Sequence, residues 1–152
     1  MNYKYKGAEA LVRLHEENML SFIEVWKTAK KANIKLPITN DSDYQSLNHL
    51  LLHVVRSSRG YIIWICEKLN LPEPKIKIPP KLEEIEKAID NYFLHLIEEW
   101  KQPLENVEKK SFFDLTFKSN WGTNYCIEAM LEHAVMHPIR HEYQLNKILE
   151  KC

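Results

Sequence analysis

The stretch Ile127-Glu128-Ala129-Met130-Leu131-Glu132-His133-Ala134-Val135-Met136-His137-Pro138-Ile139-Arg140-His141-Glu142-Tyr143-Gln144-Leu145 decides the fold. Ile127, Met130, Ala134 and Leu145, continued by Ile148 and Leu149, fall on one helical stripe. Apolar residues at that period predict an amphipathic helix, starting near Thr123 or Asn124 and running to the C-terminus. Working outward, residues 104–122 read as irregular. There Phe113, Leu115 and Phe117 alternate with Asp114, Thr116 and Lys118, which predicts a short extended piece laid over the bundle. Before it, Leu82, Ile85, Ile89, Tyr92, Phe93, Leu96 and Trp100 form a stripe launched by Pro79-Pro80 and ended by Pro103, with Glu83 and Glu84 against the positive helix end. Residues 70–80 hold four of the seven prolines and read as an extended crossover.

Farther back, Ser42-Asp43-Tyr44-Gln45 has the form of a capping box and predicts a second helix from Ser42 through about Leu69, about 40 Å long. The first helix is expected from Gly7 to Ala32, with Leu11, Leu14, Met19, Phe22, Ile23, Trp26 and Ala29 buried and a stop at Asn33. The fold class is therefore all-α, a four-helix bundle with long second-to-third and third-to-fourth connections, in one domain over 1–152.

Composition narrows the function. The 152 residues are 45% hydrophobic and 28% charged, which suits a soluble globular chain with its own core. Twenty-one basic and 21 acidic side chains cancel, so no global field recruits nucleic acid or an acidic membrane surface. With three glycines and no glycine-rich phosphate loop, a nucleotide-binding α/β fold is disfavoured. Cys66, Cys126 and Cys152 lack CxxC spacing and read as reduced thiols. The N-terminus has no apolar signal core, and the longest apolar run, Tyr61 to Cys66, is far short of a membrane span. A cytoplasmic location is the expectation.

The chemistry lies in the histidines. Seven histidines in 152 positions give about 0.3 pairs at i, i+4 by chance, yet three occur: His49/His53, His133/His137 and His137/His141. Four residues bring two imidazoles to one helix face about 6 Å apart along the axis, within reach of one ion at bond lengths of about 2.0–2.1 Å. His133 and His141 are separated by about 12 Å of rise and do not easily share an ion. His137 belongs to both pairs on the last helix, so spacing alone leaves either outer histidine as its companion.

His53 in Leu52-His53-Val54-Val55-Arg56-Ser57, Trp121-Gly122, and the long stretch from Ile127 to Leu145 together resemble the DinB/YfiT-like superfamily, over nearly the whole chain. The resemblance implies a four-helix bundle, commonly dimeric, in which one histidine of the second helix and an HxxxH pair of the fourth bind a divalent metal. Carried onto this chain, the ligands are His53, His137 and His141. The family often reads His-Arg-Gly-Gln at the last ligand; here His141-Glu142-Tyr143-Gln144 departs from it, which puts family substrate contacts at Glu142 and Tyr143 in doubt. Three neutral imidazoles suit Zn, Ni or Fe and leave positions for water or substrate. Members of the superfamily resemble transferases or isomerases that use low-molecular-weight thiols. The expected function is a metal-dependent enzyme of thiol-transferase or hydrolase type acting on a small molecule. The alternative is a non-catalytic, stress-associated dimeric bundle. No catalytic residue beyond the ligands is assigned.

Around the ligands, Gln144 reads either as orienting a ligand or a bound water or as a polar residue facing solvent, Trp121 as walling a pocket or joining the core, and His133 as a bystander. His49 points away from the ion or makes a hydrogen bond. Glu132 and Glu142 read as solvated charges, Pro138 as a kink beside His137, His15 and His95 as surface or core-edge residues, and Tyr61 to Ile65 as core.

Overall fold

In the computed structural model, which describes residues 2–151, the first stripe becomes α1 (Lys6–Lys31) and the second α2 (Leu47–Lys68). Both helices end on an asparagine in the left-handed region, Asn33 at φ 53° and Asn70 at φ 51°. Ile34 and Leu71 then donate their N–H groups back to the carbonyls of Ala29 and Cys66, at 3.0 and 2.8 Å, so the last turns are closed without glycine. The third and fourth stripes form α3 (Ile85–Lys101) and α4 (Ile127–Leu149), and α4 continues unbroken through Pro138. The remaining elements are a two-stranded antiparallel ribbon, β1 (Phe117–Lys118) with β2 (Asn124–Tyr125), and single 3-10 turns at Ser42–Tyr44 and Lys109–Phe112.

α1 packs most extensively on α4, with α2 against α4 and α3. The core between them holds Met19, Phe22, Trp26, Leu50, Ile62, Ile65, Ile89, Trp100 and Met130. Each large apolar side chain removed from water contributes about 1.5–3 kcal/mol. Trp26 also satisfies its indole by donating to the Leu47 carbonyl at 2.6 Å. The 70–80 crossover is tied down: Arg59 donates to the Ile76 carbonyl, Tyr92 to that of Lys77, and the Lys77 N–H to His95 Nε2. The chain is thus an all-α four-helix bundle. Among the described residues no helix is long and apolar enough to cross a membrane. Cys152, counted above among the reduced thiols, lies outside the described residues.

Several boundaries differ from the sequence reading, each for a physical reason. Ser42 does not cap the second helix. Asp41 accepts the Asp43 N–H at 2.9 Å and closes a separate turn over Ser42–Tyr44, and the extended backbone of Ser46 (φ −156°, ψ 167°) restarts the chain as the true cap of α2. The third helix begins at Ile85 rather than at Pro79-Pro80, after a turn in which Glu84 and Ile85 both donate to the Lys81 carbonyl. Thr123 and Asn124 do not start the fourth helix, because Asn124 is paired with Lys118 in the ribbon and Cys126 is the cap. Phe113 and Leu115 are not laid on the bundle: they are 47% and 63% exposed, while Phe112, one register off, fills the core. In α1 the buried face carries Val12 and His15, leaving Leu14 exposed.

Candidate metal centre

His53 on α2 faces the middle of α4, where His137 and His141 stand one turn apart on one face. The three Nε2 atoms converge, His53 to His137 at 3.0 Å and His141 to His137 at 3.4 Å. Ligand nitrogens on one ion at about 2.05 Å lie about 2.9 Å apart for octahedral angles and about 3.3 Å apart for tetrahedral ones. The observed spacings lie close to those two values, and the three residues form a group able to hold a metal ion.

The outer nitrogens show which tautomer each ring adopts. His53 Nδ1 lies 2.8 Å from the Asp43 carboxylate, which only accepts, so Nδ1 carries the proton and the Nε2 lone pair points into the cluster. His141 Nδ1 lies 3.0 Å from Gln144 Oε1 and 2.7 Å from the Tyr44 hydroxyl, and Tyr44 itself donates to the same Gln144 oxygen. With Oε1 as the acceptor, His141 Nδ1 also donates and its Nε2 lone pair faces inward; this assignment follows the hydrogen-bond network. Two inward lone pairs meet a third imidazole nitrogen that has at most one proton to share. A cation resolves that arrangement, and carboxylate or carbonyl partners on the outer nitrogens are the usual support of histidine ligands.

Electrostatics favour the neutral rings that coordination needs. His137 and His141 are 7% and 5% exposed. Burial, with His141 and His53 adding to it, pushes the His137 pKa down to about 2. Burial likewise takes His141 down to about 4, against an opposing pull from Gln144. His137 Nδ1 is buried and, among the described residues, has no hydrogen-bond partner.

Beside the cluster lies a cavity of about 630 Å³ whose walls include Tyr44, Ser57, Tyr61, Trp64, Trp121, His133 and Arg140. The ribbon positions Trp121. Gly122 turns the chain at φ 91°, a conformation that residues with side chains rarely adopt even though the space around it is open. Trp121 stacks on His133, ring centroids 5.3 Å apart at 27°, so His133 belongs to the cavity wall and stands apart from the three converging nitrogens. His49 is outside the cavity, its Nδ1 2.8 Å from the Ser46 hydroxyl. Gln144 sits where the sequence reading allowed, on His141. Tyr61 and Trp64, read as core, are buried and also line the cavity.

Three contributors escaped the sequence reading. Asp43 and Tyr44 come from the separate turn before α2. His15, read as a surface or core-edge residue, is 1% exposed. Pro138 has no N–H, so the Ala134 carbonyl lacks its helical partner. His15 Nδ1 donates to that carbonyl at 3.1 Å, its Nε2 accepts from Ser58 Oγ at 2.8 Å, and Trp100 stacks on the ring. One imidazole thus joins α1, α2 and α4 just before His137.

A family model described as the DinB family matches residues 6–151. Neither a curated protein nor a solved structure matches the chain.

Proposed function

The chain belongs to the DinB family, and from that premise we propose that it is a metal-dependent enzyme whose ligands are His53, His137 and His141. The observation that carries the reading is the convergence of three Nε2 atoms at the edge of a cavity large enough for a small molecule. Three protein ligands are the hallmark of an open centre, whereas a structural site is closed by four. A divalent ion bound there supplies Lewis acidity, which favours the deprotonated form of a water or thiol near neutral pH. Asp43 and Gln144 keep the Nδ1 protons in place, so His53 and His141 present lone pairs. Tyr44 fixes Gln144, and Tyr61, Trp64 and Trp121 form an aromatic side of the cavity. The family resemblance supports a low-molecular-weight thiol as co-substrate and a homodimer as the working form.

Cobalt substitution tests this. Small thiols added to the cobalt-loaded chain are expected to produce sulfur-to-metal charge-transfer absorption in the near ultraviolet, and His53→Ala abolishes it. Cobalt that binds but whose spectrum no thiol perturbs leaves hydrolysis as the better chemistry. A saturated four-ligand spectrum, unmoved by thiol, favours the non-catalytic dimeric bundle.

A further inference from the structure

We propose that the cavity beside the three histidines takes a small organic carboxylate with a flat apolar body, its carboxylate held by Arg140 and its body laid on Trp121 and Tyr61. The proposal names a substrate class for the site above and rests on that reading for what lies at the far end of the ligand.

Arg140 follows His137 by three residues and His133 by seven, so all three share one face of α4. It lines the cavity. Among the described residues no carboxylate lies within 4.0 Å of its guanidinium, in contrast to Arg13, which pairs with Glu9 at 3.0 Å. Two acids of the turn before α2 have partners of their own. Asp41, on the same wall, accepts the Asp43 N–H at 2.9 Å, and Asp43 holds His53 Nδ1 at 2.8 Å. A guanidinium carries a planar fork of donors matched to a carboxylate. No lysine joins it among the lining residues, so a single planar monoanion fits better than a phosphate group.

The other half of the site is aromatic. Trp121 is braced face-on by His133 and edge-on by Tyr61 and Tyr125, at 5.3, 6.3 and 5.6 Å between centroids, yet it remains 49% exposed. A rigid ring with a free face costs little ordering entropy when a flat ligand settles on it. Trp121 and Trp64 both line the cavity, so a ligand there is expected to change the tryptophan fluorescence.

The test titrates benzoate and its neutral isostere benzamide into the full chain, metal-free and zinc-loaded, by calorimetry and tryptophan fluorescence. Zinc content is measured on the same samples. Benzoate is expected to bind about tenfold or more tightly than benzamide in both forms. Arg140→Gln brings the two together without changing zinc content, Arg140→Lys restores part of the preference, and Trp121→Ala weakens both ligands alike. Equal binding of the two probes, no benzoate binding, or a preference that survives Arg140→Gln overturns the proposal; survival in the zinc-loaded chain alone places the anion on the metal. A chain that binds no zinc but keeps the Arg140-dependent preference refutes the metal reading alone, and one that binds zinc without the preference refutes the anion site alone.

Discussion

His15 makes the bundle acid-sensitive. Its ring is buried under Trp100 between the Ala134 carbonyl and the Ser58 hydroxyl, and burial holds its pKa down to about 4 despite the carbonyl's pull the other way. In the unfolded chain the value returns to about 6.5. Between those values the unfolded chain binds the proton and the native chain does not, so acid favours unfolding. The stability that His15 contributes is complete above about pH 6.5 and is lost as the pH falls toward 4. With these two values the loss between pH 7 and pH 5 is about 2 kcal/mol for this residue alone. Urea unfolding followed by circular dichroism, at both pH values and with chelator present, measures it in the wild type and in His15→Leu. His137 and His141, also held low, add the same acid loss to both proteins and cancel in the comparison. At pH 7 the variant is expected to be less stable by about 2–6 kcal/mol, because two buried polar groups lose their partner at about 1–3 kcal/mol each. On acidification it is expected to lose about 2 kcal/mol less than the wild type. His15→Gln, whose amide can replace one of the bonds, gives a milder variant with the same flattened acid response. Equal acid losses in wild type and both variants would refute the reasoning.

Three further outcomes are expected. Asp43→Asn, which keeps the shape beside His53 but removes the charge that fixes its proton, weakens zinc affinity by about 10- to 100-fold in competition with a chelating dye, without altering the far-ultraviolet spectrum. The chelated chain stays helical, because the apolar core between four helices does not depend on the ion, and zinc raises its melting temperature by mass action; a random-coil spectrum after chelation would move the site into the structural class. Light scattering at micromolar concentration gives the mass of a dimer, and a monomer of 18.1 kDa would remove that part of the proposal.

The fold was legible where the apolar period is strong and the helix ends are marked by local chemistry. Asn33 and the proline-rich crossover needed only neighbouring residues to be read. The His137/His141 pair was legible because four residues make a helical turn, but choosing it over His133/His137 required either the family pattern or the facing α2. The turn carrying Asp43 and Tyr44 was misread because Ser42 and Asp41 offer competing caps, and backbone geometry at Ser46 decides between them. Tyr44 then meets His141 across 97 residues, a contact with no period to reveal it. His15 carried a usable sign. It sits at a core position between Val12 and Met19, and Pro138 guarantees an unpaired carbonyl at Ala134 somewhere in the bundle. Arg140 shares the helix face of His133 and His137, yet only the structure shows that no acid among the described residues pairs with it.

Elemental analysis of the untagged chain tests the central claim most directly. About one divalent transition metal per chain is predicted for the wild type. His137→Ala, which removes the nitrogen common to both contacts, abolishes it, and His133→Ala, which alters only the cavity wall, leaves it in place. No metal in the wild type, or equal loss from both variants, would contradict the account.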